Sequence, residues 1–187
     1  MAKLTPPINK NDHIHGSPDA LVTLVEYGDY QCPHCGAAFP IVKQIQKAFS
    51  KNLRFAFRHF PLANVHEYAF PAAIAAEAAG KQQKFWEMHD MIFERQSLLN
   101  EYALLEFAEE VGLNIPAFKT GVKDPQLREK VESDFESGVR SGVNGTPSFF
   151  INGEKHNGPF DYATLASAIE EKIRSSINTT PHTAFKV

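Results

Sequence analysis

The sequence predicts an α/β domain whose core is interrupted by a block of helices. Three short β-rich runs occur in the 187-residue chain, at 20–27, 53–60 and 147–151. Between the second and third runs, residues 64–142 are rich in Ala, Glu and Lys and place apolar side chains at helical spacing. This order predicts an α/β core with an all-helical insertion of about eighty residues after the second core strand.

The first half of the core is expected to be a strand, a helix and a second strand. ALVTLVEY (20–27) is a β-rich run that predicts a buried strand. The segment after Cys32 carries apolar residues at helical spacing through about Ser50. Apolar residues alternate in LRFAFRHF (53–60), as they do in a strand. Residues 1–19 are polar and contain proline, so we expect a mobile or loosely docked arm there.

The insertion is expected to contain four helical segments separated by capping residues. Its first segment ends at Gly80, a residue type that is favoured at helix C-termini. The third segment closes at Gly112, and the fourth opens with Asp124 as N-cap and Pro125 at the first helical position.

The second half of the core is expected to be a hairpin followed by a helix. PSFFI (147–151) predicts a strand, an Asn-Gly turn follows at 152–153, and the partner strand is expected around 155–157. Asp161 is the expected N-cap of the last helix. The polar tail after Ser175 is expected to fray.

These elements divide the chain into three expected parts. Residues 1–63 contain the first half of the core and both cysteines, and residues 64–142 form the insertion. Residues 143–187 complete the core. The sequence contains no internal repeat and no low-complexity segment.

The composition argues against several classes of function. A net charge of -3 and a pI near 6.2 give no basic field, so nucleic acid is not an expected partner. No apolar run approaches the roughly 18 residues that a membrane span needs, so we do not expect a membrane-embedded protein. The first twenty residues lack the apolar segment of a signal peptide. We therefore expect a cytoplasmic protein, or a periplasmic or secreted one if a signal has been removed.

The only two cysteines lie three positions apart, in CPHC (32–35). A zinc site needs about four ligands, and the nearby His13 and His15 lie in a polar segment, so no metal is expected. A disulfide across so short a loop removes little chain entropy, which makes a structural staple a poor explanation. The spacing therefore favours redox chemistry, with half a metal motif or a chance pair as the alternative.

The two cysteines are expected to differ in acidity. Pro33 is favoured at the first helical position, which makes Cys32 the N-cap and turns its sulfur toward free N–H groups of the first turn. The helix dipole acts in the same direction, so the pKa of Cys32 should fall, and His34 can add a positive charge or an N–H donor. Cys35 lies on the apolar stripe that faces the sheet, which predicts a normal or raised pKa. Cys32 is thus the expected nucleophile, and Cys35 resolves the mixed disulfide.

Two motifs together resemble a known family. LVEYGDYQCPHC (24–35) and GVNGTPSFFING (142–153) are similar to the DsbA-like thiol–disulfide oxidoreductases, and the resemblance covers about residues 17–174. It implies a thioredoxin fold with the all-helical insertion after the second core strand. The dipeptide Pro33-His34 matches that of the strongly oxidising members.

The resemblance also implies an activity and partners. The Cys32–Cys35 pair would exchange disulfide for dithiol with cysteines of protein or peptide substrates, without a dissociable cofactor. A redox recycling partner would be needed: glutathione, a thioredoxin system or a membrane oxidase. Two other interpretations stay open, a cytosolic glutathione-linked thiol reductase of the same fold and a peptide-binding, chaperone-like module with an incidental CxxC.

Further site residues follow from the family pattern. Pro40 is expected to kink the first helix. Glu26 shares a strand face with apolar residues, so its carboxylate is expected to be buried near Cys35 and to relay a proton, unless it lies at an edge that reaches water. The bond between Thr146 and Pro147 is expected to be cis and to face the cysteines, which leaves the Thr146 backbone free to pair with a substrate strand. The most oxidising members often carry an apolar residue at the position of Thr146.

Overall fold

The structure is a computed structural model, and it describes residues 2–179. Its sheet has five strands in the order β1-β3-β2-β4-β5, in which β2 and β3 are parallel and all other neighbours are antiparallel. The elements in chain order are β1 (His13–Gly16), β2 (Val22–Gly28), α1 (Pro33–Ala48), β3 (Leu53–His59), α2 (Ala69–Gly80), α3 (Phe85–Glu94), a 3₁₀ turn (Gln96–Leu98), α4 (Glu101–Glu110), α5 (Ile115–Gly121), α6 (Pro125–Arg140), β4 (Ser148–Ile151), β5 (Glu154–Lys155) and α7 (Tyr162–Thr179).

The predicted class, an α/β core with an all-helical insertion, is confirmed. The insertion α2–α6 follows β3, the second of the two parallel central strands. The expected N-cap of α6 is present: the Asp124 carboxylate accepts the N–H of Gln126. The short helix α5, which was not predicted, begins in the same way at Asn114, whose side chain accepts the N–H of Ala117.

The side chains of the central strands alternate between two buried faces. On β2, Leu24 belongs to the larger apolar cluster, which also contains side chains of α1–α4 and α7. Its neighbours Val25 and Tyr27 belong to a smaller cluster on the opposite face. Phe135 of α6 packs against this second cluster. Because both faces of β2 are covered, its sequence is almost continuously apolar, as is typical of a central strand.

The N-terminal segment is docked, so the expectation of a mobile or loosely attached arm is wrong. Residues 13–16 form β1, which pairs with β3 and extends the sheet. Leu4 is buried in the smaller cluster, and Arg58 Nε donates to Asp12 Oδ1 at 2.7 Å with both side chains almost fully buried. The second face of the sheet needs an apolar cover, and this segment supplies part of it.

The last helix also differs from the expectation. α7 begins after Asp161, whose carboxylate accepts the N–H of Thr164, and it continues through Thr179. The chain is therefore helical for four residues past Ser175, where a frayed polar tail was expected. The rest of the predicted tail, 180–187, lies outside the described residues.

Helix α1 runs from Pro33 to Ala48 and includes Pro40 within it. The apolar stripe thus continues past the proline, as the sequence predicted, while the kink itself stays a prediction. β4 pairs with β2 in antiparallel register, with Tyr27 opposite Ser148. This pairing places the loop that precedes β4 beside the loop that joins β2 to α1. The candidate site lies at that junction.

Candidate functional site

Cys32 is the N-cap of α1, as the sequence predicted. Its φ of −69° and ψ of 122° are extended, and Pro33 follows at the first helical position. The sulfur lies 3.5 Å from the carbonyl oxygen of Thr146 in the loop before β4, and in this thiol form the S–H donates to that oxygen. The helix start and the β4 loop therefore meet at the Cys32 sulfur.

The surroundings of Cys32 lower its pKa to about 5. The largest cause is the hydrogen bond from the Cys35 thiol, and partial burial opposes it. The Thr146 side chain and the backbone N–H groups of Cys35 and His34 add to the lowering. At neutral pH this sulfur is a thiolate that is held by N–H, S–H and O–H donors.

The Thr146 hydroxyl is placed to donate a hydrogen bond to Cys32 once that sulfur is ionised. Its hydroxyl oxygen is buried and has no hydrogen-bond partner within residues 2–179 while Cys32 is a thiol. Once Cys32 ionises, the Thr146 carbonyl loses its donor, and the free hydroxyl can donate to the thiolate. The Thr146-Pro147 bond is cis, as the family resemblance implied.

Cys35 differs sharply from Cys32. It is fully buried in the larger apolar cluster, and its pKa is raised far above the ordinary value. Burial is the largest cause, followed by its hydrogen bond to Cys32 and the charge of Glu26. The backbone N–H of Asp29 donates to its sulfur at 3.4 Å and opposes the rise only in part. The predicted asymmetry between the two sulfurs is thus present in the structure.

His34 and Pro33 lie on the exposed side of the helix start. The imidazole of His34 forms no hydrogen bond with residues 2–179, whereas its backbone N–H helps to lower the pKa of Cys32. The expected contribution of this residue therefore comes from the backbone. Pro33 acts by fixing the first turn of α1.

Glu26 lies on β2 beneath the cysteines and is 3% exposed. Burial, with a smaller effect of the Cys32 charge, raises its pKa to about 8. Its charge in turn is one of the causes that raise the pKa of Cys35. The structure therefore brings Glu26 to the site as expected, in the buried position and not at a wet edge, and as a carboxylic acid at neutral pH.

Asp29 organises the loop between β2 and Cys32, although it was not among the predicted site residues. Oδ1 accepts the backbone N–H groups of Gln31 and Cys32 at 2.7 and 3.2 Å. Oδ2 accepts the N–H of Leu62 and hydrogen-bonds the ring of His66 at 2.7 Å. An Asp three residues before an N-cap is a signal for such a side-chain-closed turn. Asp29 thereby ties the helix start to the segment after β3.

A buried ionic cluster lies where β1, β3, α2 and α6 meet. Glu77 accepts hydrogen bonds from His13 and His59 at 2.9 and 2.8 Å, which lowers the pKa of this carboxyl strongly despite its burial. Asp134 accepts from Lys130 at 2.6 Å. His59, Glu77 and Asp134 are close enough to hold a metal ion. The Lys130 ammonium, 3.8 Å from Glu77, already supplies positive charge there, so the cluster is explained as an ion network that joins the sheet to the insertion.

Comparison with known proteins agrees with this geometry. A family model described as "Thioredoxin" matches residues 8–171. A thioredoxin-like oxidoreductase from Silicibacter pomeroyi superimposes with a TM-score of 0.78 at 28% identity, over 89% of this chain and 94% of that one. The α-DsbA1 of Wolbachia pipientis superimposes with a TM-score of 0.81 at 23% identity, over 91% and 95% of the two chains. These matches confirm the thioredoxin fold.

Curated relatives match in sequence over only part of their length. A protein of Salinispora arenicola named Na(+)/H(+) antiporter NhaA 1 is 42% identical over 158 residues, which is 84% of this chain and 24% of that protein. The chain thus spans about a quarter of the length of the first such relatives. Within residues 2–179, no helix has both the length and the apolar composition of a membrane span.

Proposed function

Since this chain belongs to the thioredoxin family and is one of its DsbA-like members, we propose that it is a thiol–disulfide oxidoreductase. The Cys32–Cys35 pair exchanges its disulfide or dithiol with cysteines of protein or peptide substrates. The observation that carries the proposal is the difference in acidity between the two sulfurs, a pKa of about 5 at Cys32 against a strongly raised one at Cys35. An incidental CxxC in a binding module would not need a stabilised thiolate beside a buried thiol.

In the oxidising direction, the first step is attack by a substrate thiolate on Cys32. A bond forms between the substrate sulfur and Cys32 Sγ, the Cys32–Cys35 bond breaks, and Cys35 leaves with the electron pair. The Cys35 thiolate is strongly disfavoured in its buried position, so it takes up a proton. Glu26, a carboxylic acid with a pKa of about 8 near that sulfur, supplies this proton.

The second step releases the substrate. Another substrate thiolate attacks the substrate sulfur of the mixed disulfide, the bond to Cys32 breaks, and Cys32 leaves as a thiolate. A sulfur with a pKa of about 5 is a good leaving group at neutral pH. The substrate dithiol is thereby oxidised to a disulfide, and the protein disulfide is reduced to the Cys32 thiolate and the Cys35 thiol. A recycling partner, glutathione, a thioredoxin system or a membrane oxidase, then restores the disulfide.

The β4 loop supports the binding of an extended substrate. The Thr146 carbonyl contacts Cys32, and the Thr146 backbone N–H donates no hydrogen bond within residues 2–179. A substrate strand can therefore pair with this backbone while its cysteine lies beside the Cys32 sulfur. Thr146 and Pro147 are the proposed substrate-binding residues. The proposed function rests on the Cys32–Cys35 pair, since the chain spans only about a quarter of the length of the first curated relatives.

A trapping experiment tests the proposal. A Cys35→Ala variant reacted with the disulfide form of a cysteine peptide should accumulate a mixed disulfide through Cys32, visible on non-reducing gels and removed by dithiothreitol. A Cys32→Ala variant is the control and should trap nothing. The same variant is also reacted with glutathione disulfide. An adduct with glutathione and none with the peptide would favour the glutathione-linked alternative. No adduct with either reagent would refute the redox function.

A further inference from the structure

Gln96 connects the insertion to the backbone of the redox site. It lies in the 3₁₀ turn between α3 and α4. Its side-chain Nε2 donates to the carbonyl oxygens of Tyr30 and Cys32, each at 2.9 Å. A primary amide has two N–H donors, so one side chain satisfies both carbonyls. The residue is sixty-four positions from Cys32 in sequence, yet it holds the N-cap residue directly.

Gly36 leaves room for the Gln96 side chain because it has no Cβ. A Cβ at position 36 would overlap with Oε1 of Gln96. Glycine is less favourable than alanine within a helix, so the close approach of Gln96 is a reason for a glycine at this position. The N–H of Gly36 itself donates to the Cys32 carbonyl at 3.1 Å, the oxygen that Gln96 also binds. Gly36 and Gln96 therefore both donate hydrogen bonds to the Cys32 carbonyl oxygen.

Tyr30, the other residue whose carbonyl Gln96 binds, is fixed to α3, the helix that precedes Gln96 in the chain. Its hydroxyl hydrogen-bonds His89 Nδ1 at 3.0 Å, and its ring lies 4.9 Å from that of Phe93. Both His89 and Phe93 belong to α3. The backbone from Tyr30 to Cys32 is thus held from the insertion side at two points, the Tyr30 side chain and the Gln96 amide.

We infer that Gln96 is a positioning residue for the Cys32 thiolate, because it holds the carbonyl of the residue whose sulfur reacts. The inference rests on the proposed role of Cys32 as the exchanging thiol. Two physical effects act together. The amide offsets the partial negative charge of the Cys32 carbonyl near its own sulfur. It also fixes the N-cap conformation in which the N–H groups of His34 and Cys35 face that sulfur.

The test measures the ionisation of Cys32 directly, from the ultraviolet absorbance of the thiolate in the reduced protein as pH is varied. Gln96→Met keeps the length of the side chain and removes both N–H donors. It should raise the Cys32 pKa by about half a unit to one unit, a three- to tenfold fall in the ionisation constant. Gln96→Glu has the same size but adds a negative charge, so in this variant the Cys32 pKa should rise at least as far.

Gln82→Met is the matched control. Gln82 also bridges to backbone within the insertion, where it accepts the N–H of Asn114 at 2.8 Å and donates to the Asn114 carbonyl at 3.3 Å. This variant should lose comparable stability and leave the Cys32 pKa within about 0.2 units of the parent. If Gln96→Met also leaves that pKa unchanged, Gln96 has a structural role only and the inference is wrong.

Gly36→Ala provides a second, independent test. Its Cβ should displace the Gln96 side chain and raise the Cys32 pKa in the parent. In a Gln96→Ala background the space is free, so the same change should have little effect on the pKa. An equal shift in both backgrounds would overturn the inference. Because the titration needs no substrate, a failure of the proposed exchange activity would leave this result readable on its own.

Discussion

The low pKa of Cys32 predicts how the reaction rate of this thiol depends on pH. We consider the reduced protein reacting with an aromatic disulfide reagent, with a free cysteine peptide of ordinary pKa as reference. The structure gives Cys32 a pKa of about 5. At pH 5.5 about three-quarters of Cys32 is thiolate, against about 0.1% of a free cysteine with a pKa near 8.5. The difference in thiolate fraction is roughly 800-fold.

A more acidic thiol is also a weaker nucleophile, and this opposes the advantage. With a Brønsted coefficient of about 0.45 and a pKa difference of about 3.5 units, the Cys32 thiolate is intrinsically about 40-fold less reactive. Cys32 should therefore react about 20-fold faster than the peptide at pH 5.5 and about tenfold more slowly at pH 8. The two rates cross near neutral pH.

The assay follows the release of the aromatic thiol from pH 4 to pH 9. The protein rate should level off above about pH 6, whereas the peptide rate continues to rise. After Cys32 reacts, Cys35 resolves the mixed disulfide, so two equivalents of thiol should be released per protein. Cys32→Ser, which retains only the buried Cys35, should be almost unreactive. A protein rate that rises in parallel with the peptide rate through pH 8 would refute the reasoning.

Three further predictions concern the surroundings of the pair. Glu26→Gln should stabilise the protein at pH 7 by up to about 3 kcal/mol. The pKa of the Glu26 carboxyl is raised to about 8 in the folded state, so this group destabilises the fold increasingly as pH rises above the ordinary pKa of a glutamate. Denaturant titration should show that the gain in unfolding free energy vanishes near pH 4. His34→Pro removes the backbone N–H and should raise the Cys32 pKa by about one unit, whereas His34→Ala keeps that N–H and should shift it little; equal shifts would assign the effect to the imidazole. Asp12→Ala leaves the buried Arg58 without its carboxylate and should cost about 3–5 kcal/mol of unfolding free energy, while a loss below about 1 kcal/mol would show that the N-terminal segment is weakly docked.

The features that could be predicted from sequence are those determined by residues close together in the chain. Pro33 after Cys32 specifies a helix start, and the acidity of an N-cap sulfur follows from the free N–H groups there. The apolar stripe through Cys35 specified its burial. The placement of Glu26 beneath the pair followed from strand alternation together with the family pattern.

The missed features depend on contacts between distant segments. β1 is four residues long and polar at one end, and its strand conformation comes from pairing with β3 across some forty residues of sequence. The roles of Asp29 and Gln96 likewise appear only when the segment after β3 and the 3₁₀ turn lie beside the helix start. Two local signals were present: Asp29, three residues before the N-cap, and Gly36, a glycine within the predicted first turn of the helix.

The equilibrium redox state of the Cys32–Cys35 pair tests the central claim most directly. Thioredoxin, with a nucleophilic cysteine of pKa about 7, has a potential of about −270 mV. Lowering that pKa by two further units stabilises the dithiol form by about 60 mV, so this pair should lie near −210 mV. A glutathione buffer series, read by thiol labelling and mass, measures it. A potential near −210 mV or higher would support an oxidising pair built on an acidic Cys32, and one at or below about −270 mV would contradict it.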